Sequence, residues 1–336
     1  MTSTTRTSNQ DGEPVQQDDA AGGACAPVRA EEYWADKNGV RLWVYRKFCG
    51  PADAQRPLLF LVHGSSYSSK TMFDLQVPER SGYSMMDHFA GLGYEVWTVD
   101  HEGYGRSDRT ASTSDIASGV DDLKAAMAIV EQVTGRSSAA FFGQSSGALR
   151  AARFATVHPQ HVQRLALDAF VWTGKDAPTL VKRAKMLPQL LASNVRQVDA
   201  DFYASVFTRD HAGAAEWMLG DTVAKAELEH GHTIPNGTYI DMVSKLPVVD
   251  PERVGCPVLI MRAEHDGIAT EADLLAFYAK LPHADKQLVK MGGLAHTALL
   301  GVNRRRLYHV LQSFLTLPAC IEISPPAGAS SVQLQR

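Results

Sequence analysis

One five-residue turn restricts this chain more than any other stretch. Gly143-Gln144-Ser145-Ser146-Gly147 reads G-x-S-x-G, follows the apolar run Ala139 to Phe142, and leads directly into Ala148 to Ala155, which are helix formers. A strand, a sharp turn and a helix in that order can present a serine on a strained backbone. Bulky residues at 143 and 147 would collide with the adjoining strand and helix, so both positions call for glycine. Ser145 is therefore the candidate nucleophile. The pattern alone is short enough to arise by chance, and the flanking chain has to support it.

The flanks alternate between strand and helix patterns. Val40 to Phe48 has period-two apolar positions, as a half-exposed strand would. Leu58 to Val62 is continuously apolar and ends in His63-Gly64, which suits a strand buried on both faces. Met85 to Leu92 has helical character and stops at Gly93, Glu95 to Val99 reads as the next strand, and Ile116 to Val133 is helically periodic up to Gly135. Leu165 to Val171, Val258 to Met261 and Gln287 to Met291 continue the strands, with helices expected from about 271 to 281 and 304 to 317. This alternation predicts an α/β fold, with a mostly parallel sheet and helices on both faces.

Residues 173 to 250 break the pattern. They hold amphipathic segments such as Leu180 to Leu191 and Phe202 to Phe207 but no evident strand, and read as a helical insertion over one end of the sheet. The expected organisation is a disordered tail over 1–30, core over 31–172, helical cap over 173–250, core over 251–320, and a flexible tail over 321–336. Both tails are poor in large apolar side chains, too poor to offset the entropy of ordering.

Composition narrows the function classes. With 336 residues and a net charge of -4, the chain has no basic footprint for nucleic acid. Its four cysteines, at 25, 49, 256 and 320, form no C-x-x-C pair, which argues against a zinc site or a disulfide framework. No apolar run is long enough for a membrane span and the start of the sequence lacks a secretory core, so a cytoplasmic location is the default expectation.

A serine hydroxyl needs a base, and the base needs an orienting acid. In an open α/β sheet such groups collect just beyond the carboxyl ends of strands. Asp266 follows the strand Val258 to Met261, and His296 follows the strand Gln287 to Met291 in the run Gly292-Gly293-Leu294-Ala295-His296. Glu264 is the nearest competing acid, and Asp168, on the strand after the turn, is a more distant one that reads as structural. Oxyanion stabilisation calls for preorganised backbone N–H groups. Ser146, at the helix start, would supply one. Ser65, after His63-Gly64, would supply the second, with Ser66 as the alternative.

Taken together, His63-Gly64-Ser65-Ser66, the turn Asp100-x-x-Gly103-x-Gly105-x-Ser107, Gly143 to Gly147, Asp266 and His296 resemble the α/β-hydrolase superfamily over roughly residues 38 to 318. The resemblance implies eight strands, a helical cap after the sixth, no metal and no organic cofactor. Serine at 145 is unlike haloalkane dehalogenases and epoxide hydrolases, which carry aspartate there. The segment after His63-Gly64 also lacks the Gly-Pro-Gly run of many meta-cleavage C–C hydrolases.

The expected chemistry is hydrolysis of a carboxylic ester through an acyl-enzyme on Ser145, with a C–C hydrolase or acyltransferase as the alternative and a non-catalytic small-molecule receptor as a third reading. The apolar cap residues suggest an alkyl or aromatic substrate, with Ser66, Trp172, Met186 and Trp217 as candidate wall residues. Arg183, Lys185 and Arg209 could bind a charged group, although surface placement is the simpler expectation for them. The sequence does not speak to oligomeric state.

Overall fold

The computed structural model describes residues 27–52 and 54–320. In chain order its core begins with β1 (Val28–Lys37), β2 (Val40–Cys49), β3 (Leu58–Val62), α1 (Ser69–Phe73), α2 (Met85–Gly91), β4 (Glu95–Val99), α3 (Ile116–Thr134), β5 (Ala139–Gln144), α4 (Ser146–Val157) and β6 (Val162–Asp168). The insertion follows: α5 (Pro178–Ala184), α6 (Leu187–Leu191), β7 (Val195–Gln197), α7 (Ala200–Thr208), α8 (Leu219–Leu228), β8 (Thr233–Pro235) and α9 (Gly237–Ser244). The core then resumes with β9 (Val258–Ala263), α10 (Glu271–Lys280), β10 (Lys286–Met291) and α11 (Arg304–Leu315).

The main sheet has eight strands in the order β1-β2-β4-β3-β5-β6-β9-β10. Pairing is antiparallel for β1 with β2 and β2 with β4, and parallel from β4 through to β10. Strand alternation splits the continuous apolar runs between two cores. Leu58, Phe60 and Val62 of β3 pack with α3, α4 and α10, whereas Leu59 and Leu61 pack on the other face with α1, α2 and α11. Each such side chain taken fully from water contributes roughly 1.5–3 kcal/mol, which is why a strand buried on both faces is apolar at every position. Helix ends follow the local signals. Asp115 caps α3 by accepting from Ser118 N–H, and Gly135 ends it in the left-handed region at φ 70°.

Several expectations are corrected. β2 is buried from Leu42 to Cys49 rather than half-exposed. Its polar letters misled, because Arg46 is buried against Glu31 and Glu95, and Lys47 against Asp74 and Asp87. β1 carries no period-two signal because it is an edge strand with mostly exposed, charged residues, and it takes up Val28 to Ala30, which composition had placed in the tail. The remaining tail expectations, for 1–26 and 321–336, lie outside the described residues. The expected helix over Leu180 to Leu191 is two helices, with Pro188 in the first turn of α6. The insertion also contains a two-stranded ribbon of β7 and β8, whose three-residue strands are too short to show a period.

The insertion is tied to the carboxyl ends of the core strands. Glu227 on α8 accepts from Ser68 N–H at 3.0 Å and Oγ at 2.6 Å, Asp241 on α9 accepts from Ile116 N–H at 2.9 Å, and Thr238 Oγ donates to Ser65 Oγ at 2.8 Å. Among the described residues no helix is long and apolar enough to cross a membrane.

Candidate active site

The turn after β5 places Ser145 at φ 58° and ψ -123°, a conformation a non-glycine residue holds only when its surroundings enforce it. Ser145 N–H donates to the Asp168 carbonyl of β6 at 2.9 Å, so the neighbouring strand anchors the strained residue. A Cβ on Gly147 would press on the carbonyl oxygens of Val62 and His63, and one on Gly143 on the backbone of Gly147 and Ala148. Both glycines are needed for close backbone approach, as the pattern predicted.

Asp266 and His296 sit on the loops after β9 and β10, and the sheet order brings both to Ser145. His296 Nε2 lies 3.1 Å from Ser145 Oγ, and His296 Nδ1 lies 3.0 Å from Asp266 Oδ1. Asp266 Oδ1 also accepts from Ile268 N–H at 2.9 Å. Burial by itself would raise the Asp266 carboxyl, but the facing His296, the Ile268 N–H and the Arg209 guanidinium outweigh it and hold its pKa below the ordinary value. An ionised Asp266 only accepts, so Nδ1 carries the imidazole proton and the Nε2 lone pair is left facing the serine hydroxyl. All three side chains are buried.

Gln144, which sequence reasoning passed over, donates from Nε2 to the His296 carbonyl at 2.8 Å and so couples the turn to the histidine loop. The competing acid Glu264 points elsewhere: it accepts from Gly293 N–H at 2.8 Å and lies beside His265. Asp168 is fully buried beneath the turn, and neither carboxylate oxygen has a hydrogen-bond partner among the described residues. Burial, with the charge of Asp266 nearby, pushes its pKa well above the usual carboxylate range, which favours the protonated form.

Ser146 is the first residue of α4, where a backbone N–H has no intrahelical acceptor. Ser65 lies across from it: Ser65 Oγ donates to Ser146 Oγ at 2.6 Å, and the Ser65 carbonyl accepts from Arg196 Nη2 at 2.8 Å and Tyr104 hydroxyl at 3.3 Å. His63 supports the same loop, with Nδ1 against Gly64 O at 2.8 Å and Nε2 accepting from His101 N–H at 3.0 Å. Burial holds the His63 ring far below its ordinary pKa, hence neutral, which this pair of bonds requires.

The candidate wall residues fare differently. Ser66 lies close enough to Tyr239 on α9 to lower the phenol's pKa, next to the Ser65 loop. Trp172 is turned away: its indole Nε1 donates to Val249 O at 3.1 Å, its ring packs on Phe277, and it lines a separate cavity of about 290 Å³ with Pro247 to Glu252. Met186 is 48% exposed and Trp217 85% exposed, so both face solvent. A cavity of about 440 Å³ lies between α1 and α8, lined by Thr71, Asp100 and His230 among others, and does not include the triad.

Two arginines of the insertion pack against Tyr239 near the Ser65 loop. Arg183, assigned to the surface from sequence, is buried with its guanidinium carbon 3.7 Å from the Tyr239 ring centroid, and Arg196 approaches the same ring at 3.8 Å. One signal was available: Arg183 follows the buried Leu180 by three residues on α5 and therefore shares its inward face.

The family model for serine aminopeptidase S33 (Hydrolase_4) matches residues 55–301. Among solved structures, E-2-(acetamidomethylene)succinate hydrolase is 17% identical with a TM-score of 0.63, covering 85% of this chain and 99% of its own. Carboxylesterase CesB from Bacillus subtilis is 18% identical with a TM-score of 0.62, covering 86% and 93%. The 2-hydroxy-6-oxo-6-phenylhexa-2,4-dienoate hydrolase from Rhodococcus sp. strain RHA1 is 15% identical with a TM-score of 0.61, covering 86% and 99%. Similarities at this identity establish the fold alone, and no curated protein matches the chain by sequence. The family match over most of the chain, on an eight-stranded sheet of this order, means that the protein belongs to the serine aminopeptidase S33 family of α/β-hydrolases.

Proposed function

We propose that this protein is a serine hydrolase that cleaves a carboxylic ester through an acyl-enzyme on Ser145. One observation carries the reading: His296 bridges Ser145 Oγ at 3.1 Å and an ionised Asp266 at 3.0 Å, in the tautomer that accepts the serine proton. Ser145 Oγ attacks the carbonyl carbon as its proton passes to His296 Nε2. The resulting oxyanion takes hydrogen bonds from the N–H groups of Ser65 and Ser146, in a site from which water is largely excluded. Collapse expels the alcohol, which leaves with the proton from His296. A water molecule, deprotonated by the same nitrogen, then attacks the acyl group and returns Ser145 and the free acid. In this reading residues 173–250 act as a cap that holds the Ser65 loop in place and closes the site, and no metal or organic cofactor takes part.

The test is hydrolysis of a 4-nitrophenyl ester series, combined with labelling of Ser145 by a fluorophosphonate. Ser145→Ala should lose about 10⁵- to 10⁶-fold in kcat and all labelling. Wild-type turnover in a folded Ser145→Ala protein would end this assignment.

A further inference from the structure

The inner face of the insertion concentrates positive charge beside the oxyanion loop. Arg183 on α5 and Arg196 on β7 stand 3.7 and 3.8 Å from the Tyr239 ring centroid, which two planar groups can do only from opposite faces. Arg209, just after α7, is close enough to influence Tyr239, Arg183 and Asp266 electrostatically. Two guanidiniums thus stack on one phenol, with the more exposed Arg209 adding its charge from farther off, and guanidiniums keep their charge in proteins.

Counter-charge is short. Arg209 pairs with Asp210 at 3.0 Å, but neither Arg183 nor Arg196 has a carboxylate partner among the described residues. Arg183 Nη1 lies 4.0 Å from the Met242 sulfur, and Arg196, whose Nη groups donate to the Pro235 and Ser65 carbonyls and to Asn236 Oδ1, has its Nε buried without any partner. Arg183 is buried and Arg196 half-buried, and burying a cation without a counter-charge is costly unless an anion completes the site. The location is equally specific. Arg196 Nη2 donates to the Ser65 carbonyl at 2.8 Å, Ser66 lies close to Tyr239, and the adjacent Thr238 bonds Ser65 Oγ at 2.8 Å. Arg209 also lowers the Asp266 carboxyl electrostatically, so its charge is felt at the catalytic groups. An anion held there would lie next to a carbonyl held at Ser145.

We propose that Arg183, Arg196 and Arg209 form an anion subsite and that the compound cleaved at Ser145 carries a carboxylate that docks in it, a proposal that rests on the hydrolase reading above. Guanidinium groups match a carboxylate with paired N–H donors, so the subsite selects planar carboxylates as well as negative charge. It replaces the alkyl or aromatic selectivity expected from the sequence with selectivity for the monoester of a diacid.

The experiment compares monomethyl succinate, glutarate and adipate with methyl esters of uncharged acids of matching length. Methanol release by wild-type protein is measured, together with calorimetric binding to Ser145→Ala. At least one charged ester should exceed its neutral counterpart by about 10- to 100-fold in kcat/KM and in affinity, the size of one charge-assisted contact. Arg183→Gln should erase that ratio and Arg183→Lys should restore part of it; Arg196→Gln provides a second probe should Arg183→Gln fail to fold. Equal or better handling of the neutral esters, or a ratio that survives both glutamine variants in folded protein, overturns the subsite. Absence of fluorophosphonate labelling at Ser145 would instead overturn the hydrolase reading, and the calorimetric arm reads the subsite separately from turnover.

Discussion

Replacing Asp266 by Asn removes the charge of the orienting acid while keeping its shape. Asp266 Oδ1 lies 3.0 Å from His296 Nδ1, and both side chains are buried. When His296 takes the serine proton it becomes an imidazolium facing that carboxylate. At this separation and an effective dielectric constant of about 20, the attraction is about 5.5 kcal/mol. At 1.36 kcal/mol per decade, losing it should lower kcat by about 10⁴-fold. The amide can also turn its NH₂ toward Nδ1, which forces the proton onto Nε2 and removes the base. The measurement is steady-state hydrolysis of a 4-nitrophenyl ester, normalised by circular dichroism to folded protein. A loss below about 30-fold in folded Asp266→Asn would refute the reasoning, because the imidazolium would then be stabilised by another group, with Asp168 and Glu264 the nearest acids to examine.

Two further perturbations probe the electrostatics. Asp168 is buried with a raised pKa, so the folded state resists its ionisation: the contribution is neutral below the unfolded carboxyl pKa and becomes destabilising as pH rises toward the folded value. Asp168→Asn should therefore raise the melting temperature at pH 8 and change it little at pH 4, because the stability difference grows only as pH rises above the unfolded carboxyl pKa; equal effects at both pH values would contradict this. Tyr239 is pushed up by burial but brought down to about 7 by Arg183, Arg196 and Arg209 and by nearby Ser66, with Asp210, Tyr67 and Tyr104 the other titratable groups around it. Its phenolate should form as pH rises through about 7 and compete for the cluster, so monoester binding to Ser145→Ala should weaken about tenfold between pH 6 and 8.5 in calorimetry. Adding Tyr239→Phe should abolish that fall, and a fall that persists would show that some other group titrates.

The features that were legible in the sequence are those fixed by short-range chemistry. Gly143 and Gly147 are needed because any Cβ there meets backbone atoms of the adjoining strand and helix, and that requirement is written into five consecutive residues. Asp266 and His296 were found because both follow apolar runs of strand length, and a parallel sheet aligns the ends of its strands. β1 was missed because an edge strand exposes most of its side chains, so its alternation carries no hydrophobic signal. β2 was misjudged because a buried ion pair and an exposed charge are written with the same letters.

The insertion marks the boundary. Its sequence says that Leu180, Met186 and Trp217 are apolar and Arg183 is charged, and the simple rule places the first three inside and the last outside. Leu180 and Arg183 are buried, whereas Met186 and Trp217 are exposed. Which side chains of a short-helix insertion are turned inward depends on where Tyr239, Arg196 and the Ser65 loop come to rest against it, and those partners are tens of residues or more away in the chain. The sequence alone determined the α/β-hydrolase fold and singled out Ser145, Asp266 and His296, which the sheet brings together, because strand-end placement and backbone approach are local demands repeated along the chain. Only the tertiary structure decided which side chains of the insertion are buried, because burial of a charge depends on partners that chain folding brings together.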